Sequence, residues 1–141
     1  MSNETNTTEP STRPRAGLVA SSRPDPPHGY RYTSYPSTGH AIQGPWNDPQ
    51  SSLRRQIIEA LGDMKWFDIA VLRFGYAESY EALEDRSTCP VTILISVRVG
   101  SITSEQGHAA VLKCKQILDE FDLSDVEVDI QEAMNLGSAW W

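Results

Sequence analysis

Arg98, Gly100, Ser101 and Thr103 are the residues of this chain whose types and spacing best suit chemistry. They follow a run of β-branched residues and precede a run with helical periodicity, so they stand where a strand ends and a helix begins. Free backbone donors and the helix dipole favour an anion at such a turn. A guanidinium, a glycine and two hydroxyls would make a phosphate or carboxylate pocket, and the competing reading of the same residues is a capped turn with a solvated arginine. Gly-Ser-Ile-Thr lacks the glycine spacing of a P-loop or a dinucleotide fingerprint. Gly75 and Tyr76 would join the turn if the strand before them ran parallel to the one ending at Arg98.

Other reactive side chains are less well arranged. His28, His40 and His108 have no metal-ligand spacing and there is no Cys-x-x-Cys, so neither a metal nor a cofactor is expected. No Gly-x-Ser-x-Gly or Ser-x-x-Lys pattern supports a serine nucleophile. Glu78, Glu81, Glu84 and Asp85 fall at helical spacing, which describes a solvated acidic helix face rather than a paired acid and base. Catalytic residues are therefore not expected.

The elements that must position the turn are clear. In the run 91–99, broken by Gly100 and Ser101, Val91, Ile93, Ile95 and Val97 alternate with Thr92, Leu94, Ser96 and Arg98, which predicts a strand with a core face. Thr103 and Gln106 form a capping box for a helix whose Ala110, Cys114, Ile117, Leu118 and Phe121 recur at three- and four-residue spacing. Val126, Val128 and Ile130 then alternate with Asp125, Glu127, Asp129 and Gln131, a half-buried strand with an acidic outer face. Strand, helix and strand this close predict a right-handed crossover with the two strands parallel.

Upstream, Asp48 and Pro49 suit an N-cap and first helical position. Leu53, Ile57, Leu61 and Met64 form an apolar stripe, and Gly62 is placed to end it. Residues 67–74 predict a strand closed by Gly75, and residues 77–85 a short helix. The expected fold is therefore a small α/β or α+β domain, with a three-stranded sheet, one βαβ crossover and helices packed on it. Ala70, Leu72 and Phe74 on one side of the first strand need a cover that two helices do not supply. The candidates are the short helix, the tail 134–141 with Trp140 and Trp141, a second copy, or another domain.

Composition changes near residue 50. Eight of the nine prolines lie in residues 1–49, where only 11 positions are apolar, against 44 in the remainder. So few apolar groups cannot offset the entropy of ordering, which predicts a disordered arm over residues 1–45 before a domain over 46–133. Within the arm, residues 23–36 interleave proline and tyrosine, a pattern for polyproline II docking or a spacer. Four acidic and four basic residues cancel in the first 49 positions, so the net charge of −7 belongs to the domain. An acidic domain repels phosphate backbones and anionic membrane surfaces, so neither nucleic acid nor membrane is an expected partner. No apolar run spans a bilayer and no signal segment opens the chain, which predicts an intracellular, cytoplasmic protein with Cys89 and Cys114 as packed thiols.

From Pro90-Val-Thr-Ile-Leu-Ile-Ser-Val through Val126-Glu-Val-Asp-Ile-Gln-Glu, the chain resembles the N-terminal part of a group of uncharacterised filamentous-fungal proteins. The likeness covers roughly residues 40–135 and carries no catalytic motif. Longer members continue into a β-rich region resembling trypsin-like proteases, which implies that this chain is a leading module without its downstream partner. The resulting expectation is a non-catalytic interaction or regulatory module that self-associates or binds a protein partner or a missing downstream domain. Its contacts would be carried by sheet edges and by Leu72, Phe74, Trp140 and Trp141. A small-anion site or enzyme at Arg98–Thr103 is the alternative.

Overall fold

The computed structural model describes residues 17–23, 31–77 and 89–133. In chain order they form β1 (Leu18–Ser21), β2 (Arg31–Pro36), α1 (Gln43–Asn47), α2 (Leu53–Ala60), β3 (Trp66–Ala77), β4 (Val91–Val97), α3 (Ser104–Glu120) and β5 (Glu127–Glu132). The strands make one mixed sheet in the order β1-β5-β4-β3-β2. β4 and β5 are parallel and joined through α3, as the crossover pattern predicts, while the other three pairings are antiparallel.

The core lies between one face of the sheet and the helices. Ile93, Ile95 and Val97 of β4 and Val128 and Ile130 of β5 are fully buried there. They meet Leu53, Ile57 and Leu61 from α2 and its C-terminal end and Ala110, Val111, Cys114 and Leu118 from α3. The capping box starts α3: Thr103 Oγ1 accepts from Gln106 N at 3.1 Å, and Thr103 N donates to Gln106 Oε1 at 2.8 Å. At the other end Lys115 Nζ donates to the carbonyls of Ser124 and Val126 at 2.9 and 2.7 Å, tying the helix to the turn before β5. α3 also approaches β1 closely at Gly107, where a Cβ would stand 3.0 Å from Val19 Cγ1 and 3.1 Å from Ala20 Cβ.

Several expectations are corrected. The sheet has five strands rather than three, and both additional strands, β1 and β2, come from the segment expected to be disordered. Their low apolar content is no obstacle, because they add to the edges of a sheet whose centre already carries the burial. A bulge between Leu18 and Ala20 turns both Val19 and Ala20 toward α3. The domain boundary near residue 46 also moves. Ile42 is fully buried, His40 Nε2 meets Asp125 Oδ2 at 2.7 Å, and Ser37 Oγ donates to the Val71 carbonyl at 3.2 Å.

The upstream helix begins at Leu53, not at Pro49. Asp48 instead follows the short helix α1, where its Oδ1 accepts from Gln50 N at 2.9 Å. β3 runs through Gly75 to Ala77 because β2 pairs along it, with Thr33 opposite Gly75. The helix expected at 77–85 and the tail with Trp140 and Trp141 lie outside the described residues, apart from Ala77, which ends β3.

Candidate functional site

The turn after β4 is built as the sequence implies, but four of its donors, Gly100 N, Ser101 N, Ser101 Oγ and Thr103 N, are already engaged. Ser101 N and Ser101 Oγ both donate to the Arg98 carbonyl, at 3.1 and 2.7 Å, which closes the turn. Gly100 takes φ +74, a left-handed conformation suited to glycine, and aims its N–H at Glu132 Oε2, 2.7 Å away. The N–H of Thr103 is held by Gln106. The structure thus brings Arg98, Gly100, Ser101 and Thr103 into one turn, and the anion it holds is the carboxylate of Glu132 at the end of β5. An incoming phosphate would have to displace Glu132 while facing Glu105 in the first turn of α3. Arg98 is exposed. Because β3 is antiparallel to β4, Gly75 and Tyr76 sit at the far end of the sheet and cannot join the turn.

An open groove of about 480 Å³ adjoins this turn, with Ser101, Gln106, Lys65 and Lys113 among its lining residues. A second, of about 460 Å³, runs past Trp46, Pro49 and Ile58, with Arg54 stacked 5.0 Å over the Trp46 ring.

His40 and Asp125 form a pair that sequence reasoning missed, since they are 85 residues apart. The pair resembles the orienting half of a hydrolytic triad, but the other ring nitrogen, Nδ1, accepts the Ile42 N–H at 3.0 Å. Both nitrogens are therefore engaged, and neither is left to take a proton from a substrate. The hydrogen bond from His40 is the main reason the Asp125 carboxyl lies below its usual range. The pair pins residues 37–42 to the turn between α3 and β5. Burial pushes the Cys114 thiol up to about 12, so it stays protonated and unreactive. Among the described residues no group of three His, Cys, Asp or Glu side chains could hold a metal ion.

The sheet face away from α2 and α3 is more polar than its apolar pairs imply. Asp129 of β5 is fully buried, accepts from Ser21 Oγ at 2.6 Å and lies 3.6 Å from Arg23 Nη2. Gln131 Nε2 donates to Ser96 Oγ at 3.1 Å, and Val128 N donates to Ser22 Oγ at 2.8 Å. These contacts fasten β1 to β5 and explain the acidic alternation of β5, two of whose outer residues bind β1 or β4. Leu72 is half-buried on this face, opposite Thr92. Phe74 sits in β3 opposite Ser34, and its side chain is outside the described residues, as are Trp140 and Trp141.

The two edges of the sheet differ. β1 has four residues and a bulge, both devices that blunt an edge. β2 has six, pairs with β3 without a register shift, and reads Arg-Tyr-Thr-Ser-Tyr-Pro, with no charge between its ends. Two observations fix which of its backbone groups point outward. Ser37 Oγ reaches the Val71 carbonyl, so Val71, and by alternation Arg73 and Gly75, direct their backbone groups toward β2. Their partners Tyr35 and Thr33 must then point inward, which leaves Tyr32, Ser34 and Pro36 pointing outward. Pro36 agrees, because a strand proline is tolerated where its missing donor faces away from the ladder.

Comparisons with protein-family models, with curated proteins and with solved structures find no match to this chain.

Proposed function

We propose that this chain is a non-catalytic interaction or regulatory module that offers the β2 edge to an extended segment of a protein partner. The observation that carries this reading is the outward row of backbone donors and acceptors at Tyr32 and Ser34, on a strand with a single described neighbour. Such an edge pairs with another strand through main-chain hydrogen bonds, and between Arg31 and Pro36 at its ends β2 has neither a bulge nor a charged residue to interrupt pairing. The engaged nitrogens of His40 and the protonated thiol of Cys114 support a role without catalysis. The net charge of −7 supports a protein partner over a nucleic acid. No helix among the described residues is long and apolar enough to cross a membrane. Cys89 and Cys114 are both buried, which fits an intracellular setting where thiols remain reduced. The resemblance to longer fungal proteins adds a downstream domain to the possible partners.

The test is a photo-crosslinking residue at Ser34 in the full chain, with the same group at exposed Glu59 as control. A defined adduct from Ser34 alone, to a second copy or to another chain, is the expected result. Equal adducts from both positions would overturn the proposal.

A second reading, a small-anion site at Arg98–Thr103, draws on the grip of Gly100 N–H on a carboxylate. Glu132→Ala would vacate that donor. Saturable phosphate-induced amide shifts confined to residues 100–106, lost with Arg98→Ala, would support this reading, and a spectrum unmoved by phosphate would remove it.

A further inference from the structure

We propose that His40 is an acid-released latch, which holds the strap over residues 37–42 in place while its ring is neutral and lets go when the ring takes a second proton. The hydrogen bonds fix the starting state. Ring Nδ1 lies 3.0 Å from the backbone nitrogen of Ile42, whose N–H can only donate, so Nδ1 must be the unprotonated acceptor. The single proton of the neutral ring is therefore on Nε2, which donates it to Asp125 Oδ2 at 2.7 Å.

A second proton can go only on Nδ1. The imidazolium has two donors and no acceptor, so it would aim an N–H at the N–H of Ile42, and that contact must break. Ile42 is the anchor of the strap, with its side chain fully buried in the core. Ser37, also buried, ties the strap to β3 through the Val71 carbonyl. The His40 side chain is only 12% exposed, so little water is at hand to replace the acceptor that Ile42 loses.

Charge pulls the other way. Asp125, from the turn before β5, favours the imidazolium, and Lys115 of α3, which acts on that same carboxylate, weakens the attraction. No other residue from 37 to 47 has a titratable side chain. Asp125 is 69% exposed, so solvent screens the pair, and the loss at Ile42 outweighs it. The closed strap thus favours the neutral ring. Its contribution to stability is complete where His40 is neutral, and is lost as pH falls through the range in which histidine takes up its proton, about pH 8 to 5.

Nuclear magnetic resonance of the full chain across that range tests the latch. At the upper end the ring nitrogens of His40 should report a proton on Nε2 and none on Nδ1; the opposite tautomer overturns the proposal. As pH falls, the protection factor of the Ile42 amide should drop at least about tenfold, in step with the His40 ring and ahead of the amides of β4. His40→Asn offers a side-chain carbonyl where Nδ1 stands and cannot titrate, so its Ile42 amide should keep its protection and its urea midpoint should stay level across the same range. Should that variant fail to fold, the ring and amide signals of the wild-type chain decide alone. Ile42 protection that does not follow the His40 ring, or an equal fall in His40→Asn, overturns the latch.

Discussion

Cys114 illustrates how a single buried group records its surroundings. It is fully buried on the stripe of α3, and burial alone lifts its pKa from 9.0 to about 12. A raised value in the fold means that the protonated form is favoured there, so the contribution to stability is complete below 9.0 and is lost as pH climbs toward about 12. Urea midpoints measured across that range should fall, and an aromatic disulfide reagent should label Cys114 only after denaturation. Labelling of the native protein at the unfolded rate would contradict the packing described here. Asp125 has the opposite sign: its depressed carboxyl contributes above its ordinary value of 3.8 and stops doing so as acid protonates it. That carboxylate is largely exposed, so its contribution is small. Arg98, the residue that first drew notice in the sequence, is exposed, and Arg98→Ala should shift stability by no more than about 0.5 kcal/mol in a denaturant titration.

At the scale of elements, β4 and α3 were legible in full and β1 and β2 were not. Alternation in residues 91–97 and the Thr103–Gln106 capping box are local signals, each complete within a few residues, and the structure reproduces both. Ile95 shows what β4 contributes. It is fully buried, and Ile95→Asp, with a charge in the core costing several kcal/mol against a total stability of only about 5–15 kcal/mol, should abolish the far-UV helix signal. β1 has no such local signature. Its bulge puts consecutive residues on the same face, which erases the period of two, and its place depends on Gly107 leaving room beneath it. Gly107→Ala sets two effects against each other. Alanine improves helix propensity by about 1 kcal/mol, while crowding of a close-packed contact costs about 1–3 kcal/mol. With Val19 and Ala20 both within 3.1 Å of the new methyl position, crowding should win and the urea midpoint should drop. A rise in midpoint would mean that β1 yields easily.

Across the whole molecule, the sheet grows outward from a buried centre, and stability should follow that gradient. Hydrogen exchange should be slowest at Ile93, Ile95 and Ile130, which lie in the middle of the sheet. In dilute protein it should be fast at Tyr32 and Ser34, whose N–H groups point away from β3, and slow at Thr33 and Tyr35, which point toward it. Protection at Tyr32 and Ser34 that grows with protein concentration would report their pairing with a second strand, whereas uniform protection along β2 at every concentration would contradict the outward assignment.

By itself, the sequence determined the α/β class, the parallel β4–α3–β5 crossover and the start of α3. All of these follow from periodicities and caps that act over a few residues. Only the tertiary structure decided that residues 18–21 and 31–36 extend the sheet, that β3 runs against β4 and carries Gly75 and Tyr76 away from the Arg98 turn, and that Glu132 fills the donor at Gly100. The same holds for His40, whose partner lies 85 residues away. Contacts of this kind depend on which groups the packed core leaves exposed for distant segments to meet, and no local pattern encodes that.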